Sequence, residues 1–189
     1  TKVNTNVFYM NYKDQLVLSG ELNDVGAALR TSSGKSYRLG LEIDAEIQLL
    51  KNLRMLPNIA LSTNKNVDFV TSRDGKLVNL GNTNISFSPS VVAANMLEYS
   101  PIEKLQLGFL TKFVGEQYMG NIDSEASKLD SYFINDLNIV YTLDGLPWIK
   151  EIVFSALVNN IFNVKYVSNG YFYTYDDDFS NPGTVTTVE

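Results

Sequence analysis

Apolar and polar residues alternate without a break from Ser36 to Leu49. Tyr37, Leu39, Leu41, Ile43, Ala45, Ile47 and Leu49 hold the odd positions, and Ser36, Arg38, Gly40, Glu42, Asp44, Glu46 and Gln48 the even ones. A period of two sends these sets to opposite faces of a strand, whereas a helix would scatter the apolar residues around its surface. The run is far longer than the roughly five or six residues usual for a strand in a soluble protein. One apolar and one charged face over that length suit a barrel wall with lipid on one side and water on the other.

The pattern recurs more faintly elsewhere. Val3, Thr5, Val7 and Tyr9 alternate with Asn4, Asn6, Phe8 and Met10, in a strand expected to run on to Val17. Leu53 to Thr63 aligns Leu53, Met55, Ile59 and Leu61, with Pro57 as an irregularity. Ile85 to Tyr99 is strand-like but blurred by Pro89 and the small run Val91 to Ala94. Leu105, Leu107, Phe109 and Phe113 oppose Gln106, Gly108, Lys112 and Glu116; Ser131–Leu143 and Ile152–Phe162 complete seven predicted strands. Their connections alternate in length. Leu50–Asn52, Ser100–Lys104 and Asp144–Lys150 are short; Ser19–Lys35, Asn64–Asn84, Gly120–Asp130 and the chain from Ser168 onward are long and polar. Tight turns at one rim and long loops at the other are the rhythm of an outer-membrane barrel. A sandwich would show turn signals every 8–12 residues without it.

Composition narrows the chemistry. Cysteine and histidine are absent, so this chain offers no disulfide, thiolate zinc site, cysteine nucleophile or histidine-based triad. A net charge of -6 and a pI near 4.7 argue against a phosphate-tracking nucleic-acid binder. Thr1 to Asn6 lacks the basic start and apolar core of a signal peptide, and no apolar stretch approaches the ~20 residues of a helical membrane span. No enzymatic activity and no cofactor is expected.

Short motifs dissolve on inspection. Gly34-Lys35-Ser36 resembles the tail of a phosphate-binding loop, but Leu29 stands where that motif needs glycine, and the context is loop to strand. Asp176-Asp177-Asp178 lacks the alternate spacing of a calcium loop and reads as a solvated loop. Tyr171, Phe172, Tyr173 and Tyr175 suit an interfacial girdle or loop packing ahead of ligand stacking. Glu42, Asp44 and Glu46 stand along one wet face, a poor setting for acid–base catalysis, which needs a perturbed pKa.

Several stretches together resemble the C-terminal barrel of TonB-dependent receptors, especially the Bacteroidetes-type iron-chelate receptors. They are Val7–Leu18 with Asn23–Gly26, Ser36–Glu42, Ser88–Val91, Tyr99–Pro101, Phe113–Tyr118, Leu129–Tyr132, and Val158–Asn163 followed by Tyr166 and Asn169–Tyr171. Each is weak alone; their order across nearly the whole chain makes the match specific. The resemblance implies an all-β, antiparallel up-and-down meander of about seven transmembrane strands, residues 1–189 being the C-terminal segment of a 22-stranded barrel. It implies a bacterial outer-membrane location in contact with lipid, uptake of a scarce nutrient such as a ferric siderophore or other small-molecule metal chelate, and coupling to TonB through an N-terminal plug outside this segment. A general porin or a soluble all-β binding domain is the alternative.

Arg38, Glu42, Asp44 and Glu46 are expected to face the lumen, and Leu39, Leu41, Ile43 and Ile47 the lipid. Ligand contacts are expected in the long loops, at Arg73, Tyr118, Tyr171, Tyr173 and Tyr175, where rigid rings and a guanidinium suit an anionic chelate. Because Ile152–Phe162 follows a short turn and Gly183–Glu189 is too short to span, an incomplete barrel is expected. Ile152–Phe162 should then pair only with Ser131–Leu143, and the fragment alone should aggregate through its bare edges.

Overall fold

A computed structural model of the protein describes residues 1–23, 25–180 and 183–188. Asp24, within the quoted stretch Asn23–Gly26, and Glu189, at the end of Gly183–Glu189, lie outside the described residues. Seven long strands form the wall: β1 (Lys2–Lys13), β2 (Lys35–Leu50), β3 (Leu53–Val67), β4 (Val91–Ile102), β5 (Leu105–Val114), β6 (Tyr132–Asp144) and β7 (Glu151–Val158). They pair antiparallel in chain order, and the short strand Thr83–Asn84 adds to β3 to make an eight-stranded sheet. The expected all-β meander is what forms. Among the described residues β7 pairs only with β6, and β1 and β7 do not close on each other.

The register carries the alternation from strand to strand. Val7, Leu41 and Leu61 align across β1, β2 and β3, as do Thr5, Ile43 and Ile59. Leu97 and Phe109 continue the apolar face onto β4 and β5, and Ile139 and Ala156 onto β6 and β7. Aromatic rings sit toward both ends of this face: Tyr9, Tyr37, Phe113 and Phe133 near the long connections, Tyr99, Tyr141 and Phe154 near the short turns. On β6, Phe133 and Tyr141 are separated by ~27 Å along the strand and about 20 Å across a bilayer at a tilt of ~40°. That is close to the height of an outer-membrane apolar band between its two aromatic girdles.

Several boundaries differ from expectation: β3 runs on to Val67 rather than Thr63, and three other strands fall short. β1 ends at Lys13 rather than Val17, because Asp14 takes a left-handed φ of 56° and turns its N–H to the Gly34 carbonyl. The alternation beyond it belongs to a separate hairpin, Leu16–Leu22 with Ala28–Ser32. β4 starts at Val91, not Ile85, since Phe87 (φ 50°) and Pro89 break the ladder. β7 stops at Val158 rather than Phe162. Asn160 (φ 51°) donates its N–H to Asp136 and brackets Val164 with its amide, accepting from the Val164 N–H and donating to its carbonyl, each at 2.9 Å.

The blurred pattern of β4 also has a cause. Val91, Ala93 and Leu97 lie on the apolar face, while Val92, Ala94 and Met96 lie on the other, where Met96 aligns with Leu56 and Leu110. The charged face is therefore interrupted by an apolar row. Pro57 does sit inside a strand. The β2–β3 pairing skips Ala45 and Glu46 opposite it, so the missing N–H falls on that side, while pairing to Asn95 of β4 persists. At Gly40, a Cβ would come within 2.4 Å of Phe8, so glycine there is what lets the ring lie across the sheet.

Candidate functional site at the end of the long connections

An antiparallel meander places every second connection at the same end. All four long segments gather there, and they are folded hairpins rather than open polar loops: Leu16–Leu22 with Ala28–Ser32, Val70–Arg73 with Lys76–Asn79, Gln117–Tyr118 with Lys128–Leu129, and Tyr175–Asp177 with Thr186–Val188. Gly34 enters β2 at φ 68°, and the Ser36 hydroxyl donates to Gln15 at 2.8 Å, so Gly34–Ser36 is a turn closing the first hairpin.

Buried amides bind these hairpins to one another. Asn121 donates to the Leu18 carbonyl (3.0 Å) and accepts from the Ser86 N–H (2.9 Å) and the Asn66 amide (3.3 Å). Asn66 also donates to the Thr83 hydroxyl, and Asp123 accepts from the Asn84 N–H. Three connections are thus tied through two side chains that water scarcely reaches. Phe69, Ile85, Val114 and Leu129 are buried in the same assembly.

A second set of bonds docks the hairpin tip at Arg73–Lys76 onto the last hairpin. The Asp176 carboxylate accepts from the Thr187 hydroxyl (2.8 Å), the Gly75 N–H (3.0 Å) and the Ser72 hydroxyl (3.1 Å). Asp74 exchanges two bonds with Thr187, accepting from its N–H and donating to its hydroxyl. The Thr187 hydroxyl, ahead of the Gly75 N–H and the Ser72 hydroxyl, holds the Asp176 carboxyl below its ordinary pKa against some desolvation. Asp177 is lowered likewise, first by the Ser180 hydroxyl, and it also caps the Phe179 and Ser180 N–H groups. The acidic run thus lies at the surface, as expected, with Asp176 and Asp177 also holding the last hairpin and its turn. Among the described residues, no group of three acidic side chains is placed to hold a metal ion.

The tyrosines expected to meet ligand separate into two places. Tyr171, Tyr173 and Tyr175 stack in sequence, with ring centroids 6.3 and 6.4 Å apart. Tyr171 and Tyr173 line an apolar cavity of about 290 Å³ together with Leu18, Phe87, Met119 and Phe172. Tyr118 lines a different, polar cavity of about 250 Å³, with Asn64, Lys65, Ser88 and Glu116 among its walls. Desolvation, then the Glu125 charge, raises the Tyr118 pKa, and hydrogen bonding to Glu116 raises that of Lys128 beside it. Arg73 is exposed at the docked hairpin tip, apart from both cavities. Phe87, Met119, Asn66 and Asn121 were missed in the sequence, where nothing distinguishes them from loop residues.

Arg38, Glu42, Asp44 and Glu46 do share one face. Asn4 donates to Asp44 at 2.7 Å and Asn6 to Glu42 at 3.0 Å; Arg54 bridges Glu46 and Glu98, each at 2.9 Å. Arg38 donates to Asn64 (3.1 Å) and Ser88 (3.0 Å), which links this face to the polar cavity of Tyr118.

No curated protein matches this sequence significantly. Solved structures do match. The siderophore receptor PiuA from Acinetobacter baumannii superposes with a TM-score of 0.67 at 14% identity, over 99% of this chain and 24% of its own. The ferric-catecholate import receptor Fiu from E. coli K12 gives 0.60 at 15%, over 87% and 21%. The ferric yersiniabactin uptake receptor FyuA from Yersinia pestis gives 0.60 at 14%, over 97% and 25%. The chain thus spans about a quarter of the length of each. At these identities the likeness is one of fold. The family model described as "TonB dependent receptor-like, beta-barrel" matches residues 1–163, and on that match the chain belongs to the TonB-dependent receptor β-barrel family.

Proposed function

We propose that this chain forms wall strands and outer loops of a bacterial outer-membrane receptor that imports a scarce metal chelate, a ferric siderophore above all, with energy relayed by TonB through a plug domain elsewhere in the protein. The observation that carries this reading is the gathering of four folded connections at one end of a two-faced wall. Loops held by buried hydrogen bonds form a preorganised surface, which lowers the ordering cost of binding. Membership of the receptor-barrel family and the siderophore receptors among the solved matches support it. The short coverage of those chains supports a larger wall, of 22 strands in our reading, of which residues 1–189 are the C-terminal segment.

In this reading the short turns lie in the periplasm and the long connections outside the cell. Arg38, Glu42, Asp44 and Glu46 face the lumen, and their cross-strand bonds to Asn64, Asn6, Asn4 and Arg54 keep that polar face ordered. Tyr171, Tyr173 and Tyr175 offer stacked rings to the ligand, and Arg73 and Tyr118 flank it. The test is growth of a deletion strain on defined ferric chelates, complemented by the intact gene or by one lacking all five side chains. Import requires rescue by the first on at least one chelate, and a role for the five side chains requires loss of that rescue by the second. Equal growth removes the five residues from the site, and no rescue on any iron source removes iron chelates as the cargo.

A further inference from the structure

Resting on the reading of the long connections as the ligand-facing end, we propose that the 290 Å³ cavity is a subsite for one uncharged apolar group, aromatic or aliphatic, carried by the imported ligand. Its size argues for a group and not a whole ligand, since pockets that enclose drug-sized molecules run from about 300 to 1,000 Å³. Its chemistry argues against the chelate's charge. No lysine, arginine, aspartate or glutamate lines it; its walls are Leu18, Phe87, Met119, Phe172 and the faces of Tyr171 and Tyr173, with two glycines.

The cavity is built rather than left over. Its residues come from all four long connections, and three of its walls are held by backbone groups bonded to residues outside the lining. The Phe87 N–H donates to the Tyr118 carbonyl (2.8 Å), the Met119 N–H to the Ser127 carbonyl (2.7 Å), and the Leu18 carbonyl accepts from Asn121 (3.0 Å). Phe172 packs on Gly120 so closely that a Cβ there would lie 2.8 Å from its ring. At Gly170, itself part of the lining, a Cβ would lie 2.6 Å from the Met119 sulfur, so any side chain there displaces the thioether and changes the wall. Tyr171 is 85% exposed at the mouth and heads the stacked series to Tyr175, giving an entering ring a continuous apolar path. Methionine, soft and unbranched, suits such a wall because it adapts to the group it meets.

The experiment uses the full-length protein in lipid nanodiscs with 13C-methyl methionine and 2-naphthol as probe. Met119 is assigned by Met119→Leu; Met55, on the apolar face of the wall, reports non-specific partition into lipid, and Met10 and Met96, on the opposite face, report non-specific binding along the polar side. A saturable shift of the Met119 methyl alone is expected. Gly170→Val should weaken it at least tenfold, Phe87→Ala should weaken it too, and Trp148→Ala, exposed in the short turn at the opposite end of the wall, should leave it unchanged. Shifts that do not saturate, that move all four methyls alike, or that persist unaltered in Gly170→Val and Phe87→Ala overturn the proposal. Binding is read without transport, so intact binding with failed iron uptake counts against the import reading alone. Absent binding with intact uptake counts against the cavity alone.

Discussion

The wall and the cap of hairpins above it solve burial in opposite ways. Along the apolar face of the wall, side chains stay open: Val7 is 70% exposed and Leu61 40%. Among the described residues the buried apolar side chains are Val17, Phe69, Ile85, Val114 and Leu129, all in or next to the long connections. The buried polar set is concentrated there as well, with Asn64, Asn66, Thr83, Asn121, Ser124 and Ser127. A soluble protein rarely leaves so large an apolar face unpaired. In the outer-membrane reading proposed above, the bilayer takes the place of a core for the wall, and only the cap must make a core of its own. The difference explains why one region is written in alternation and the other in scattered single residues.

The sharpest way to break the comparison is Phe69→Ala. It should cost about 3–5 kcal/mol, as for buried aromatics elsewhere, and the loss should be confined to the cap. Hydrogen exchange should speed up in the long connections and stay slow in β2 and β3; equal loss in the wall would mean the two regions are one core. Next comes Leu41→Arg, which should cost about 2–4 kcal/mol of folding into lipid near mid-membrane, while Glu42→Gln on the opposite face should cost little. Refolding titrations into lipid vesicles check this, and equal costs would contradict the two-solvent account.

Asn121→Ala removes the partner of the Leu18 carbonyl, the Ser86 N–H and the Asn66 amide. Leaving such groups unpaired should cost about 1–3 kcal/mol, seen as faster proteolysis of the hairpins with unchanged barrel formation.

The smallest effect is that of pH on the docked hairpin tip. The Asp176 carboxyl is lowered below its ordinary 3.8 in the folded state. Its stabilisation is therefore complete above that value and lost only as pH falls through the lowered folded value. The distance between spin labels at the exposed Leu77 and Thr184, one on each hairpin, should stay the same from pH 7 to pH 5 and lengthen only in stronger acid; a change near neutrality would exclude Asp176 as the holding group.

The wall was legible because its rule is local. With one apolar and one polar face, each residue's polarity follows parity along its own strand, so β2 could be read in full from Ser36–Leu49, and the turn rhythm pointed to the meander. Where parity carried no information the reading slipped: β4 is apolar on both faces near Met96, and the ends of β1 and β7 depend on left-handed Asp14 and Asn160. The tyrosines of 171–175 were visible as a cluster, but not their division from Tyr118, nor the docking of Arg73's hairpin by Asp176.

The sequence by itself determined the period, the two faces and the alternation of short and long connections, because these follow from neighbours two residues apart. Only the tertiary structure decided which loop residues meet. Asn66 and Asn121, or Leu18, Phe87 and Met119, are brought together from distant connections by the pairing of the strands into one sheet, and no local pattern encodes a contact that spans about a hundred residues.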